Sequence, residues 1–271
     1  MSVHEMHDGL RLKKVIVVPP EKEYFNVENL KAHNIMERAD VEKAKKQHAK
    51  LREIMQGAGA DIIKVSELKG HPNSVFTMDT SLPLGDAFVQ LRMGLTTRRG
   101  EDEWMARILE RLGFEKIGEI KEPGTAEGGD LIPAYPYFFI GLSRRTNREG
   151  AEQLKRILER WGYEIRLIPV AEMHLHLGGA MTLIGEDRIL ACKSIPRDLL
   201  SGFEVIYMDC RTFITGNVIN LGEERVIVEE RNAEARYKLE KIGYEVFPLN
   251  LSEFVKGSGG PSCLILAIER G

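Results

Sequence analysis

Short apolar runs alternate along this chain with longer amphipathic stretches, the pattern of buried strands separated by helices. Val15-Ile16-Val17-Val18 reads as a short strand stopped by Pro19 and Pro20. Glu21 to Met36 is polar and keeps no steady period, so a loop or lid is expected there. Asp40 is suited to cap a long helix that reaches about Gln56, with Gly57 and Gly59 marking its end.

That ending recurs. Gly59-Ala-Asp-Ile-Ile, Gly113-Phe-Glu-Lys-Ile, Gly162-Tyr-Glu-Ile-Arg, Gly202-Phe-Glu-Val-Ile and Gly243-Tyr-Glu-Val-Phe each pass from a glycine into a strand-like run, in four cases after a clearly helical segment. The glycines are 54, 49, 40 and 41 residues apart (113−59, 162−113, 202−162, 243−202), a loose period that signals repeated supersecondary units. Each unit is expected to be a helix closed by a left-handed glycine, followed by a strand. Helix-glycine-strand is common in α/β proteins, but five matches across most of one chain are not.

The repeat gives meaning to the polar residues beyond each strand. Fourteen positions after Gly113 stands Glu127, and fourteen after Gly162 stands His176. Twenty after Gly59 stands Asp79, and twenty after Gly243 stands Cys263; the fourth unit offers Thr215-Gly216-Asn217. Modules related by a fivefold rotation would bring such positions to a common axis, collecting carboxylates, an imidazole and a thiol in one pocket. Cys263 follows Gly257-Ser258-Gly259-Gly260-Pro261-Ser262, a flexible approach, and Leu264 to Ala267 reads as the strand that anchors it.

Composition narrows the chemistry. The chain has 271 residues, 43% hydrophobic and 29% charged, with net charge −3, enough for one large domain and without a basic face for nucleic acid. No run approaches a membrane span, and Met1 to Lys14 lacks an apolar signal segment, so a cytoplasmic protein is expected. Abundant Glu and Lys with only four Gln hint at a heat-adapted source. Cys192, Cys210 and Cys263 are odd in number and far apart without CxxC spacing, which argues against a disulfide framework and against a zinc site. Cys192 and Cys210 sit in apolar runs and read as buried residues.

A thiol, an imidazole and several carboxylates without metal spacing suggest covalent catalysis by Cys263, with a thiol pKa below its ordinary value and a histidine as proton carrier. The carboxylates suit a cationic substrate, and a planar guanidinium fits them well. His174 and His176 are two apart and would share a face on a strand, so spacing alone leaves both open.

At these residues the sequence resembles the amidinotransferase-type guanidine-modifying superfamily, most closely dimethylarginine dimethylaminohydrolase and next arginine deiminase. The resemblance rests on six ordered motifs: Pro72-Asn-Ser-Val-Phe-Thr-Met-Asp79, Arg98-Arg-Gly-Glu101, Pro123-Gly-Thr-Ala-Glu-Gly-Gly-Asp130, Gly141-Leu-Ser-Arg-Arg-Thr-Asn147, Leu175-His-Leu177 and Gly259-Gly-Pro-Ser-Cys-Leu264. It implies a single five-bladed α/β propeller of ββαβ modules over residues 1–271. It implies Cys263 as nucleophile, His176 as general acid and base, and Glu127 and Asp79 holding the guanidinium. Asp130 would orient the histidine or the cation, and Arg98 and Arg145 would clamp an α-carboxylate. The resemblance implies no metal or organic cofactor and an arginine-like small molecule as partner, and it leaves a homodimer open.

Three positions depart from the resembled families. Asn73 stands where the dimethylarginine hydrolases usually carry Asp, and could contact substrate as a neutral amide; Met78 stands where some carry Glu. Gly178 stands where arginine deiminases carry a guanidinium-holding Asp. The expected activity is hydrolysis of the guanidino group of L-arginine or an Nω-methylated arginine. An amidinotransferase, an arginine dihydrolase yielding ornithine and a noncatalytic binding scaffold are the alternatives.

Overall fold

The computed structural model describes residues 6–271, so the first residues of the polar start lie outside the described ones. The chain forms β1 (Leu12–Val17), α1 (Val41–Gly57) and β2 (Asp61–Lys64), then β3 (Ser81–Leu84), β4 (Ala87–Gln90), α2 (Glu101–Arg111) and β5 (Glu115–Glu119). There follow β6 (Leu131–Ala134), β7 (Tyr137–Leu142), α3 (Arg148–Leu158) and β8 (Glu164–Pro169), then β9 (Met181–Leu183), β10 (Arg188–Cys192) and β11 (Glu204–Met208). The last part holds β12 (Val218–Gly222), β13 (Arg225–Glu229), α4 (Ala233–Lys241), β14 (Glu245–Leu249), the single turn α5 (Ser252–Val255) and β15 (Leu266–Arg270).

These strands form five three-stranded sheets with one pattern. In each, the middle strand is antiparallel to the first and parallel to the third: β7 pairs with β6 through Leu131 opposite Ile140, and with β8 through Tyr137 opposite Glu164. The parallel step requires a crossover, which a helix supplies in four modules. Between β10 and β11 only a short 3-10 turn, Arg197–Leu200, makes the crossing. That is the module whose glycine lacks a clearly helical stretch before it.

The fifth sheet joins the ends of the chain. β15 lies antiparallel to β1, with Val15 opposite Ala267, while β2 pairs parallel on the other side of β1. The C-terminal strand therefore completes the module begun by the N-terminal one and closes the ring. The innermost strands β3, β6, β9, β12 and β15 line one shared cavity through Leu82, Ile132, Met181, Ile219 and Leu266. This is the axis of a five-bladed α/β propeller.

Each repeat glycine adopts the left-handed backbone: Gly59, Gly113, Gly162, Gly202 and Gly243 have φ between 83° and 94°. In every case the outer strand begins two residues later. Asp40 caps α1 as expected, its side chain accepting the Lys43 N–H at 2.8 Å. The helices turn narrow apolar stripes inward, as in α3 with Ala151, Leu154 and Leu158 fully buried against Phe138 and Ile140 of its own sheet.

One local reading needs correction, and one loop is more ordered than its sequence suggests. The strand expected at Leu264 to Ala267 begins only at Leu266, because Ser262–Leu264 winds into a 3-10 turn and Cys263 sits inside it. Glu21 to Met36 contains no strand and a single 3-10 turn, Lys31–His33, yet it is firmly tied down. The Glu67 carboxylate accepts the backbone N–H groups of Glu21, Lys22, Glu23 and Tyr24 at 2.6 to 3.1 Å.

Candidate active site

The five loops that run from the outer strand of one module to the inner strand of the next meet at one end of the axis. They deliver Asp79, Glu127, His176, Asn217 and Cys263 in turn, one from each module. The loops between middle strand and helix add Arg98 before α2 and Arg145 before α3. A cleft of about 290 Å3 is lined by Asn34, Asn73, Phe76, Asp79, Arg98, Arg145, His176 and Cys263.

At its floor the His176 Nε2 donates to Glu127 Oε2 at 2.8 Å, while Nδ1 faces Asp79 Oδ1 at 3.8 Å. Glu127 is saturated: Oε1 accepts the N–H groups of Gly94 and Leu95 at 2.9 and 3.2 Å, and both oxygens take Arg145 Nη1 at 3.2 Å. Asp79 Oδ2 holds Arg98 Nη1 at 2.5 Å, and Oδ1 accepts the Gly129 N–H at 3.1 Å. Gly129 is required by proximity, since a Cβ there would stand 2.7 Å from the His176 ring and 2.8 Å from Asp79 Oδ1.

The charges follow from this packing. Burial disfavours a charged His176, but Asp79, Asp130 and the hydrogen-bonded Glu127 outweigh it and raise its pKa from 6.5 to about 9. Burial likewise opposes a charged Glu127, yet the bond to His176 and the Arg145 charge hold it well below the usual carboxylate range. The pair is therefore an imidazolium against a carboxylate at neutral pH.

Cys263 differs from expectation. Burial, reinforced by the Asp79 charge, pushes its thiol up to about 12, against the pull of the Gly260 N–H and Arg98. The sulfur accepts the Gly260 N–H at 3.4 Å and lies 3.9 Å from Asn217 Nδ2. A glycine-rich approach brings a thiol to the cleft without ionising it, because burial, more than any one charge, opposes the thiolate.

Other expected residues also take different places. Asp130 is fully buried and does not line the cleft; its Oδ1 accepts the Leu177 N–H at 2.9 Å and its Oδ2 the Ser143 hydroxyl at 2.6 Å. It holds the backbone after His176 and the turn that carries Arg145, while burial raises its carboxyl to about 6. Arg98 spends its donors on Asp79, on Glu101 at 2.8 Å and on Phe76 O at 2.9 Å. The expected division into an arginine end and a carboxylate end therefore does not hold, because each Arg is paired with one of the acids. Arg145 alone keeps Nε and Nη2 without a partner among the described residues.

Asn73 Nδ2 donates to His33 O at 3.1 Å, so this amide ties the 21–36 segment to the cleft. Ser258 Oγ donates to Asn34 O at 2.7 Å and Met36 N–H to Lys256 O at 2.7 Å, joining the same segment to the cysteine loop. Asn217 was legible only as an unremarkable member of the fourth repeat. It grips the cysteine turn from both sides, Oδ1 accepting the Ser262 N–H at 3.0 Å and Nδ2 donating to Ser262 Oγ at 2.8 Å. His174 points away from the cleft floor, its Nδ1 3.1 Å from Phe213 O. No helix among the described residues is long and apolar enough to cross a membrane.

Residues 21–205 match the family model for arginine deiminase. The chain belongs to the arginine deiminase family. It is 31% identical over 228 residues to the N(G),N(G)-dimethylarginine dimethylaminohydrolase of Pseudomonas aeruginosa, covering 84% of this chain and 89% of that one. It is 27% identical over 244 residues to the arginine deiminase of Mycobacterium avium, covering 73% of this chain and 60% of that one. The solved Pseudomonas aeruginosa enzyme, a mutant complexed with citrulline, superposes with a TM-score of 0.82 at 29% identity, over 94% of this chain and 99% of that one. The family match agrees with the guanidine-modifying superfamily that the six motifs indicated, and the superposition agrees with the five-module fold.

Proposed function

We propose that this family member hydrolyses the guanidino group of free L-arginine or an Nω-methylated arginine, giving citrulline and ammonia or a methylamine. The observation that carries the reading is the convergence of Cys263 with a charged His176, itself fixed between Glu127 and Asp79, in one cleft built by all five modules. The relatives' names and the citrulline complex point to the same substrate class.

The thiol's high pKa suits a cationic substrate. A guanidinium bound against Asp79 brings positive charge to the sulfur and lowers the thiol's pKa where Asp79 alone raises it. The thiolate then forms once the guanidinium is bound, its proton passing to solvent, and the sulfur attacks as a thiolate. Its sulfur bonds to the guanidinium carbon, and the departing amine takes a proton from His176. Neutral His176 next accepts a proton from water as the oxygen bonds to the same carbon; the carbon–sulfur bond breaks and the urea group of citrulline remains. Glu127 stabilises the imidazolium in both steps. Arg145, with unpaired donors on the cleft wall, receives the α-carboxylate, and Arg98 acts chiefly by fixing Asp79.

The test is to incubate the protein with arginine, mono- and dimethylated arginines and agmatine and to identify products by mass. Citrulline from an amino acid substrate, lost in Cys263→Ser, is the expected result. Ornithine, or amidino transfer to an added amine without citrulline, would overturn it.

A further inference from the structure

Outside the cleft, the structure gathers a second set of reactive side chains that the proposed chemistry does not use. Cys192 ends β10, and β10 runs parallel to β11 with Cys192 opposite Met208. Cys210 lies two residues beyond Met208, past the paired strands, with its Sγ 3.4 Å from Ser194 Oγ and close to the Cys192 thiol. His174, on the loop entering β9, completes a trio whose donor atoms all lie within 4.8 Å of one another.

The imidazole is set up to coordinate. Phe213 O, 3.1 Å from Nδ1, fixes that nitrogen as the proton-bearing one, which leaves the lone pair on Nε2. Nε2 is buried without a hydrogen-bond partner in a side chain only 3% exposed. Such an orphaned polar atom calls for a partner. Glu234, at the start of α4, lies outside that 4.8 Å group but close enough for its charge to act on Cys192, and its Oε2 lacks a hydrogen bond, with Arg211 Nε 3.9 Å away. Its other oxygen accepts the Asp209 N–H at 3.1 Å, which anchors the side chain. Two thiols and an imidazole are three of the four donors of a tetrahedral zinc-type site.

We propose that His174, Cys192 and Cys210 bind a thiophilic divalent cation of the zinc class, with Glu234 or a water in the fourth position. A tetrahedral zinc with Zn–S of about 2.3 Å and Zn–N of about 2.0 Å holds its donors roughly 3.3 to 3.8 Å apart. The trio must therefore close by about an ångström, and the thiols must release their protons. The site is structural in character. It lies two residues before His176, and Phe213, which fixes the His174 ring, also lines the pocket beside Cys263. Bound metal would brace the loop that carries His176 without touching substrate.

Metal-free native protein, held reduced by a phosphine, is titrated with Co2+ and then with Zn2+. The expected result is one cation per chain, an intense tetrahedral thiolate–cobalt spectrum that zinc abolishes, and a thermal midpoint that rises with zinc concentration. Cys192→Ser, Cys210→Ser and His174→Ala should each lose the spectrum, and Cys263→Ser should keep it. Glu234→Gln shifts the spectrum if the carboxylate is the fourth ligand and leaves it unchanged if water is. Absence of cobalt binding by the native protein would overturn the site. So would a spectrum lost in Cys263→Ser but kept in Cys192→Ser, or thiols recovered only as a Cys192–Cys210 disulfide under reductant.

Discussion

His176 and Glu127 form a charged pair, Nε2 to Oε2 at 2.8 Å, at the bottom of the cleft that Cys263 enters from above. The same carboxylate takes two backbone N–H groups and Arg145, so it cannot turn toward substrate without releasing a buried cation. In the proposed reaction Glu127 therefore acts through the imidazole.

Glu127→Gln keeps the shape and removes the charge. The His176 pKa, now about 9, should fall toward its ordinary 6.5, and the alkaline limb of kcat should move down with it. A pKa near 6.5 still leaves about a quarter of the imidazole protonated at pH 7, so kcat there should fall by no more than about fourfold, with the loss growing about tenfold per pH unit above the new pKa. An unchanged alkaline limb in this variant would show that another group protonates the leaving amine.

The same pair sets a pH dependence of stability. The folded His176 pKa lies above its unfolded value of 6.5, so its contribution is complete below 6.5 and is lost as pH rises through about 9. The thermal midpoint of the native protein should decline across that window. In His176→Gln the decline should flatten. Parallel curves for the two proteins would assign the loss to other groups.

Much of this arrangement was legible because the repeat is written in glycines. Gly59, Gly113, Gly162, Gly202 and Gly243 need the left-handed backbone, and only glycine takes it cheaply, so the modules announce themselves. Counting from them located Asp79, Glu127, His176 and Cys263. The count could not reveal which charge pairs with which. Arg98 and Arg145 looked like one clamp, yet Arg98 is bound by Asp79 and Glu101, while Arg145 stands on Glu127. Nor could it show the state of the thiol, which depends on burial and on Asp79 rather than on the glycines before it. The nearness of Cys192 and Cys210 was hidden for another reason: it arises where the chain leaves the paired ends of β10 and β11, and no spacing along the chain records that.

Gly129 gives a test of how tightly the floor is built. A methyl group there meets the His176 ring at 2.7 Å and Asp79 Oδ1 at 2.8 Å, closer than real Cβ contacts allow. Gly129→Ala should displace the imidazole from the sulfur's side and lower kcat by about 10² or more, since misplacement by an ångström costs that much. The fold should survive, because β6 beyond it keeps its register with β7. A folded Gly129→Ala protein with native kcat would mean that the proton carrier is not His176.

The last expectation concerns the substrate's far end. Arg145 offers Nε and Nη2 on the cleft wall while its Nη1 holds Glu127, so it can take a carboxylate without breaking the pair beneath His176. Arg98 has no such freedom, because its donors are committed to Asp79, Glu101 and Phe76 O. Arginine and agmatine share the guanidinium, but agmatine lacks the α-carboxylate and must leave those Arg145 donors unmet. A charge-assisted hydrogen bond contributes about 1.5 to 3 kcal/mol, so agmatine should lose roughly one to two orders of magnitude in kcat/KM against the best amino acid substrate. Arg145→Ala should erase most of that preference by raising KM for the amino acid, with some loss of kcat for both substrates because Glu127 loses a partner. Arg98→Lys should lower kcat for both alike, since Asp79 then shifts for either guanidinium. If native protein turns over agmatine as well as arginine, or if Arg145→Ala keeps the full preference, the carboxylate is bound elsewhere and Arg145 serves only to hold Glu127.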